Sequence, residues 1–171
     1  SSPVETVSWH QAKTFVSQLN EGAGDLYYRL PTEVEWEYVA KAMTTSSWSF
    51  GDQADLLDLY AHRDGQAQPR YRGLKSPNPW GVYDLHGNVY EWCEDWYQKT
   101  RAASACPPES GSFKVIRGGS NAAGSGWLRS SSRNFAHPDR RGYYIGLRLV
   151  RVDSPADDPF QPDALCKDGV E

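Results

Sequence analysis

Apolar positions along the chain fall into two helical stripes, several short strand-like runs, and long stretches with no period. Ser8-x-x-Gln11 is a capping box, in which the side chains at either end of a first helical turn satisfy each other's backbone donors. Trp9, Ala12, Phe15, Val16 and Leu19 then share one helical face, and Asn20-Glu21-Gly22 closes the helix. Leu26-Tyr27-Tyr28-Arg29-Leu30 is a short apolar piece leading to Pro31-Thr32, where Thr32 and Glu35 form a second capping box. Val34, Tyr38, Val39 and Ala42 are the expected inner stripe of this second helix. Between residues 44 and 78 the period fades and Gly, Pro, Asp, Ser and Gln accumulate. Ordered coil of that length in a compact domain tends to be functional. Lys114-Val115-Ile116-Arg117 and the run 145–150 alternate or stay apolar, as buried strands do. After Val152 a Pro-spaced acidic stretch runs to Glu171 and reads as an extended tail.

Residues 117–151 stand apart from the rest. Their two ends read as framework, and the interior is Ser, Gly, Ala, Asn, Arg and aromatics, the composition of loops wound over a rigid scaffold. The 35 residues hold no Lys, Gln, Glu or Met and one Trp, Trp127, whereas the other 136 residues hold 29 of these five types. They are the five amino acids that a codon ending in a pyrimidine cannot encode. Loop composition with chance is one explanation; codons randomised under a fixed third base is the other.

The remaining composition narrows the class. The chain's 171 residues suit one sizeable domain, and 13% aromatics argue for a packed interior. A mean hydropathy of -0.69 without a long apolar run argues against a membrane span. The net charge of -4 divides unevenly, because seven Arg and one Asp lie in 117–151. So short a basic patch on an acidic chain does not predict nucleic-acid binding; its Arg residues are expected to partner buried carboxylates or carbonyls. Cys93, Cys106 and Cys166 form no CxxC and no zinc-type cluster. One disulfide with a free thiol would suit an exported protein and three thiols a cytoplasmic one. A tail tacked down by Cys166 on Cys106 is one such arrangement.

Two groups of carboxylates invite a chemical reading. Glu33, Glu35 and Glu37 have no His or second acid fixed near them, which favours solvation or pairing with the Arg set over catalysis. Asp84 and Glu91 bracket the Gly87-Asn88 turn, and carboxylates with carbonyls around such a turn can hold calcium. The alternative is a capped turn with Glu91 paired to an Arg. His86 by itself reads as a hydrogen-bonded structural residue.

Several motifs occur together in one order: Pro3-Val4 with Val7-Ser8-Trp9, Tyr28-Arg29-Leu30-Pro31-Thr32-Glu33-x-Glu35-Trp36-Glu37-Tyr38, Ser49-Phe50-Gly51-Asp52, Asn78-x-Trp80-Gly81-Val82-Tyr83-Asp84-Leu85-x-Gly87-Asn88-Val89-x-Glu91-Trp92, Arg117-Gly118-Gly119-Ser120 and Ile145-Gly146-Leu147-Arg148. Over residues 3–151 the chain thereby resembles the formylglycine-generating enzyme (sulfatase-modifying factor) family. The resemblance implies an α+β fold, the family's variant of the C-type lectin fold, with two helices, short strands and much ordered coil over 1–152, ahead of the 153–171 tail. The family's opening strand, upstream of Pro3-Val4, has no counterpart in this chain, which leaves open what pairs with 145–152.

The enzymes of that family carry two Cys after the Arg-Gly-Gly-Ser motif, for copper and the substrate thiol. Here that segment has no Cys, and the nearest equivalents are Ala122, Ala123, Trp127 and Leu128. The resemblance therefore implies no copper and no oxidase chemistry. It does imply a structural calcium ion, with Asp84 and Glu91 giving carboxylate oxygens and Gly87 and Val89 giving carbonyls. One branch of the fold serves as variable proteins of diversity-generating retroelements, with diversified residues in this stretch. By that likeness the recognition residues are Asn121, Ala122, Ala123, Gly124, Ser125, Trp127, Ser132, Asn134, Phe135, His137, Arg140, Tyr143 and Tyr144. Trp127, Phe135, Arg140 and one of the two tyrosines are expected to be exposed on one continuous face, and Arg117, Arg129, Arg133 and Arg148 to point inward. Rigid aromatics among small polar residues are what paratopes use. The partner is then an unknown protein or surface ligand, and display on a cell surface or virion, or secretion, suits the role better than the cytoplasm. The competing reading is an oxidase, or an enzyme accessory, acting on a cysteine or other thiol.

Overall fold

The computed structural model describes residues 1–63, 65, 69–100, 107–154 and 158. The expected partnership of Cys106 with Cys166, and most of the 153–171 tail, lie outside these residues.

Both capping boxes form. Ser8 and Gln11 exchange bonds of 3.2 and 3.1 Å at the start of α1 (Trp9–Glu21), and Thr32 and Glu35 do the same at α2 (Glu33–Lys41). Helix α1 buries Ala12 and Val16, but Phe15 is half exposed. One residue is ~100° around a helix, which puts Phe15 at the stripe's edge beside Val16. Helix α2 corrects the expected stripe: Val34 and Tyr38 face outward, while Glu33, Trp36 and Ala40 are buried. Glu33, Trp36, Glu37 and Ala40 follow the i, i+3, i+4, i+7 spacing of one face, so the inner side of this helix carries carboxylates. It can do so because each has a cation. Arg133 forks onto Glu33, Arg117 reaches Glu37 at 2.5 Å, and Arg29 grips Glu35 with two bonds of 2.6 Å. Arg29 also binds Asp158, fastening that tail residue to the domain.

A third helix, α3 (Leu57–Tyr60), follows a 3-10 turn within the stretch expected to be coil. It has no side-chain cap and a single buried residue, Leu57, so no period marks it in the sequence.

The strands are β1 (Tyr27–Arg29), β2 (Tyr90–Trp96), β3 (Lys114–Arg117), β4 (Asn134–Ala136), β5 (Ile145–Gly146) and β6 (Val150–Val152). One sheet has the order β4-β3-β2-β5, with β2 antiparallel to β3 and parallel to β5; a second pairs β1 with β6. The expected terminal strand is thus two strands, one on each sheet, and Glu5 bridges Gly146 from the other side.

Because side chains alternate across a strand, the larger sheet buries both faces. Tyr90, Trp92 and Ile116 pack with Ala12 of α1, Leu30 and Ile145. Cys93 and Val115 pack with Trp36 and Ala40 of α2 and Leu85. On the α1 side the Lys114 ammonium sits 4.1 Å from the Trp9 ring centre and 3.8 Å from that of Trp96. Burial pushes its pKa down to about 8. A third core of Trp48, Leu57, Ala61 and Leu128 lies under the segment that follows β3.

Candidate functional site

The segment after β3 begins on Arg117, which is fully buried. Its guanidinium donates to the carbonyls of Ser130 (3.0 Å), Ser131 (3.2 Å) and Ser132 (2.5 Å), and lies 5.3 Å from the Trp36 ring centre. Gly118 and Gly119 both adopt positive φ, and a Cβ on Gly119 would stand 2.5 Å from Leu128 Cδ2. Such a turn requires glycine. The chain then drops inward. Asn121 is completely buried; its N–H donates to the Asn88 carbonyl at 3.0 Å and its own carbonyl accepts from Gly65 at 2.9 Å. Asn121 is therefore framework and not recognition surface, because its buried backbone joins Gly65 to the Gly87-Asn88 turn.

Residues 122–127 surround a 3-10 turn, Ser125–Leu128. Ala122, Gly124 and Trp127 are exposed, while Ala123 packs on the third core. Leu128 fills that core, and its carbonyl is held by His86 Nδ1 at 2.9 Å. His86 Nε2 lies 2.8 Å from Ser49 Oγ and accepts from the Ser49 N–H. Burial lowers the His86 pKa, so the ring stays neutral and tethers two loops. Of Ala122, Ala123, Trp127 and Leu128, two thus pack on the third core and two face outward. Cys93 is buried, and burial raises its thiol well above the usual range, the reverse of what a nucleophile needs.

Beyond the Arg117 clamp, Arg133 faces inward onto Glu33 and the Gln98 carbonyl. Arg129 does not point inward as expected. It lies in extended backbone between buried Leu128 and Ser130, and alternation turns it outward. Ser132 is half-buried, its carbonyl already taken by Arg117.

Asn134, Phe135, His137, Arg140 and Tyr144 converge on an open pocket of about 300 Å³, completed by Tyr90, Ile116, Ala136 and Ile145. Asn134 Nδ2 donates to the Tyr90 hydroxyl at 3.2 Å, and Arg140 Nε donates to the Tyr144 hydroxyl at 2.9 Å. Phe135 is 44% exposed and meets Tyr97 and Phe113 at ring distances of 4.4 and 5.0 Å. Tyr143 is 43% exposed, whereas Tyr144 packs partly on the first core. The expected face therefore splits into this pocket and the separate 122–127 turn, with Trp127 outside the pocket. Sequence reasoning missed Tyr90, Ile116 and Ile145 as walls, since buried strand residues give no signal of lining a surface.

The calcium expectation meets a different geometry. Both Glu91 oxygens are engaged, by Arg148 Nη2 (2.8 Å) and Nε (2.9 Å) and by Trp36 Nε1 (2.6 Å). Asp84 Oδ2 accepts from the Gly73 N–H at 2.8 Å, and Gly87 lies so close to the His62 carbonyl that a Cβ would stand 2.6 Å from it. Among the described residues no three His, Cys, Asp or Glu side chains group as metal ligands. A guanidinium holds both Glu91 oxygens, so of the expected carboxylate oxygens the buried, unpartnered Asp84 Oδ1 is the one left open among the described residues, where calcium takes roughly six to eight oxygens. Chelation by EDTA is accordingly expected to leave the melting temperature unchanged, while Glu91→Gln lowers the unfolding free energy by about 2 kcal/mol, since charge-assisted bonds are lost. A fall in melting temperature on chelation would reinstate the ion.

No described helix is long and apolar enough to cross a membrane. The model of the sulfatase-modifying factor enzyme 1-like domain matches residues 1–153. The chain is 31% identical over 160 residues to the serine/threonine-protein kinase pkn1 of Chlamydia caviae, covering 87% of this chain and 24% of that protein. It is 28% identical over 170 residues to the formylglycine-generating enzyme of Streptomyces coelicolor, covering 86% of this chain and 52% of the enzyme. Among solved structures, Treponema denticola variable protein 1 superposes with a TM-score of 0.80 at 29% identity, over 86% of this chain and 70% of that one. The chain thus spans a quarter to a half of these curated relatives. It belongs to the sulfatase-modifying factor enzyme 1-like domain family, on its C-type lectin type of fold.

Proposed function

We propose that this chain is a non-catalytic binding protein, with a recognition surface drawn from residues 122–144 and diversified by a retroelement. The observation that carries the reading is the pairing of a rigid backbone clamp with exposed, chemically mixed side chains in the one segment whose residue alphabet departs from the rest. The likeness to a protein named for its variability supports it. Family members include enzymes, and the competing role is oxidation of a thiol. Against that role stand the absence of Cys from 117–151 and the inert setting of Cys93.

The test uses purified protein loaded with Cu(I). No oxygen uptake with a thiol peptide, and no conversion of its cysteine to an aldehyde, is the expected result. Turnover dependent on Cys93 would overturn the reading. A companion measurement separates surface from packing. Tyr143→Ala should change stability by less than about 0.5 kcal/mol, as surface substitutions do, and a loss several times larger would make the segment structural.

A further inference from the structure

The pocket at β4 is rich in donors and poor in acceptors. The Tyr90 oxygen accepts from Asn134 and the Tyr144 oxygen from Arg140. Each hydroxyl keeps its hydrogen to give, and among the described residues neither has an acceptor for it. Asn134 Oδ1 is spent on the Phe135 N–H at 2.8 Å. Arg140 is exposed, with its remaining N–H groups beside the Tyr144 ring. Among the described residues no carboxylate lines the pocket. Asp139, next in sequence to Arg140, lies against His137 at 3.5 Å and His10 at 3.7 Å. Burial pushes the Tyr90 phenol up, so it remains an O–H donor at neutral pH. Beside these donors Phe135 and Ala136 offer apolar surface, and Ile116 and Ile145 back the pocket from the core.

We infer that this pocket binds a carboxylate carried on a short apolar stem: the Tyr90 and Tyr144 hydroxyls and the Arg140 guanidinium receive the anion, and the Phe135 and Ala136 side chains take the stem. Planar guanidinium matches carboxylate geometry, and a charged acceptor strengthens each bond. The chemistry has two natural sources, a free small carboxylic acid or the C-terminal apolar residue of a protein. The inference rests on the binding-surface reading above and adds the class of ligand.

Calorimetric titration with N-acetyl-phenylalanine, its amide, and a pentapeptide ending in a free phenylalanine tests it. The free acid should bind at least about tenfold more tightly than the amide, the factor that one charge-assisted bond supplies. Arg140→Gln and Tyr144→Phe should each erase most of that preference. A pentapeptide that outbinds the amino acid identifies a protein C-terminus as the source, and equal affinity identifies a free acid. Equal binding of acid and amide, no saturable binding of either, or a preference that survives Arg140→Gln would overturn the inference. Thermal melts of the two variants separate the levels. If their melting temperatures hold and the parent protein itself shows no preference for acid over amide, only the carboxylate class falls. If both variants melt many degrees lower, the side chains are packing and the binding-surface reading falls with it.

Discussion

Arg117→Ala is expected to lower the unfolding free energy by about 3–5 kcal/mol, the range for removing one partner of a buried ion pair. The carboxylates are not the main reason. Glu37 keeps Lys41 at 2.6 Å and is partly exposed, and Glu33 keeps Arg133. The larger loss is at the backbone. The carbonyls of residues 130–132 would lose their donor in an interior where Arg117 now excludes water. Arg117→Lys should recover only part, because a single ammonium cannot span three carbonyls and a carboxylate as a planar fork does. Urea denaturation of both variants measures this, and a change below about 1 kcal/mol would remove Arg117 from its central place. Acid behaviour gives a second readout. Burial raises the Glu37 carboxyl, but Lys41 and Arg117 outweigh it and hold the pKa below its ordinary value. That contribution is present at neutral pH and lost as pH falls through the folded pKa. The alanine variant should therefore lose less of its stability in acid than the parent.

The second large effect is expected of Trp36→Ala, at about 3–5 kcal/mol for truncating a buried aromatic. Trp36 is 2% exposed, fills the α2-side core, donates to Glu91, and lies beneath both Arg117 and Gly118. Trp36→Phe keeps most of the ring but leaves Glu91 short of a donor, and should cost about 1–3 kcal/mol. Since Trp36 and Arg117 touch, the double alanine variant should be destabilised by less than the sum of the single losses. Full additivity in urea titrations would mean that the two act independently.

Local chemistry made some of this architecture legible and its geometry hid the rest. Ser8 and Thr32 announced both long helices because a capping box is closed within four residues. Lys114–Arg117 announced a strand by composition. The inner face of α2 was misread at Val34 and Tyr38, which face outward; pairing of its carboxylates with the Arg set was one of two readings, and only the distant Arg29, Arg117 and Arg133 decide it. Likewise, Glu91 offered itself as a cation ligand, and nothing adjacent in sequence says that Arg148, 57 residues on, supplies the positive charge. The odd alphabet of 117–151 singled out a segment but said nothing of the depth of each residue. Asn121 is buried and Arg129 exposed, and no local period distinguishes them.

The manner in which the segment is held has a genetic consequence. Arg117 grips the main chain at three successive serines, and His86 grips it at Leu128, so these anchors recognise no particular side chain. A mutation that replaces Ser131 or Ser132 leaves the grip intact, whereas one that replaces Arg117 or His86 abolishes it for every sequence the segment could carry. Were the segment diversified as proposed, changes downstream of Arg117 would sample many surfaces on one unchanging set of main-chain anchors. Lineages would lose function mainly through the few interior sites, such as Asn121 and Leu128, where the side chain itself fills space.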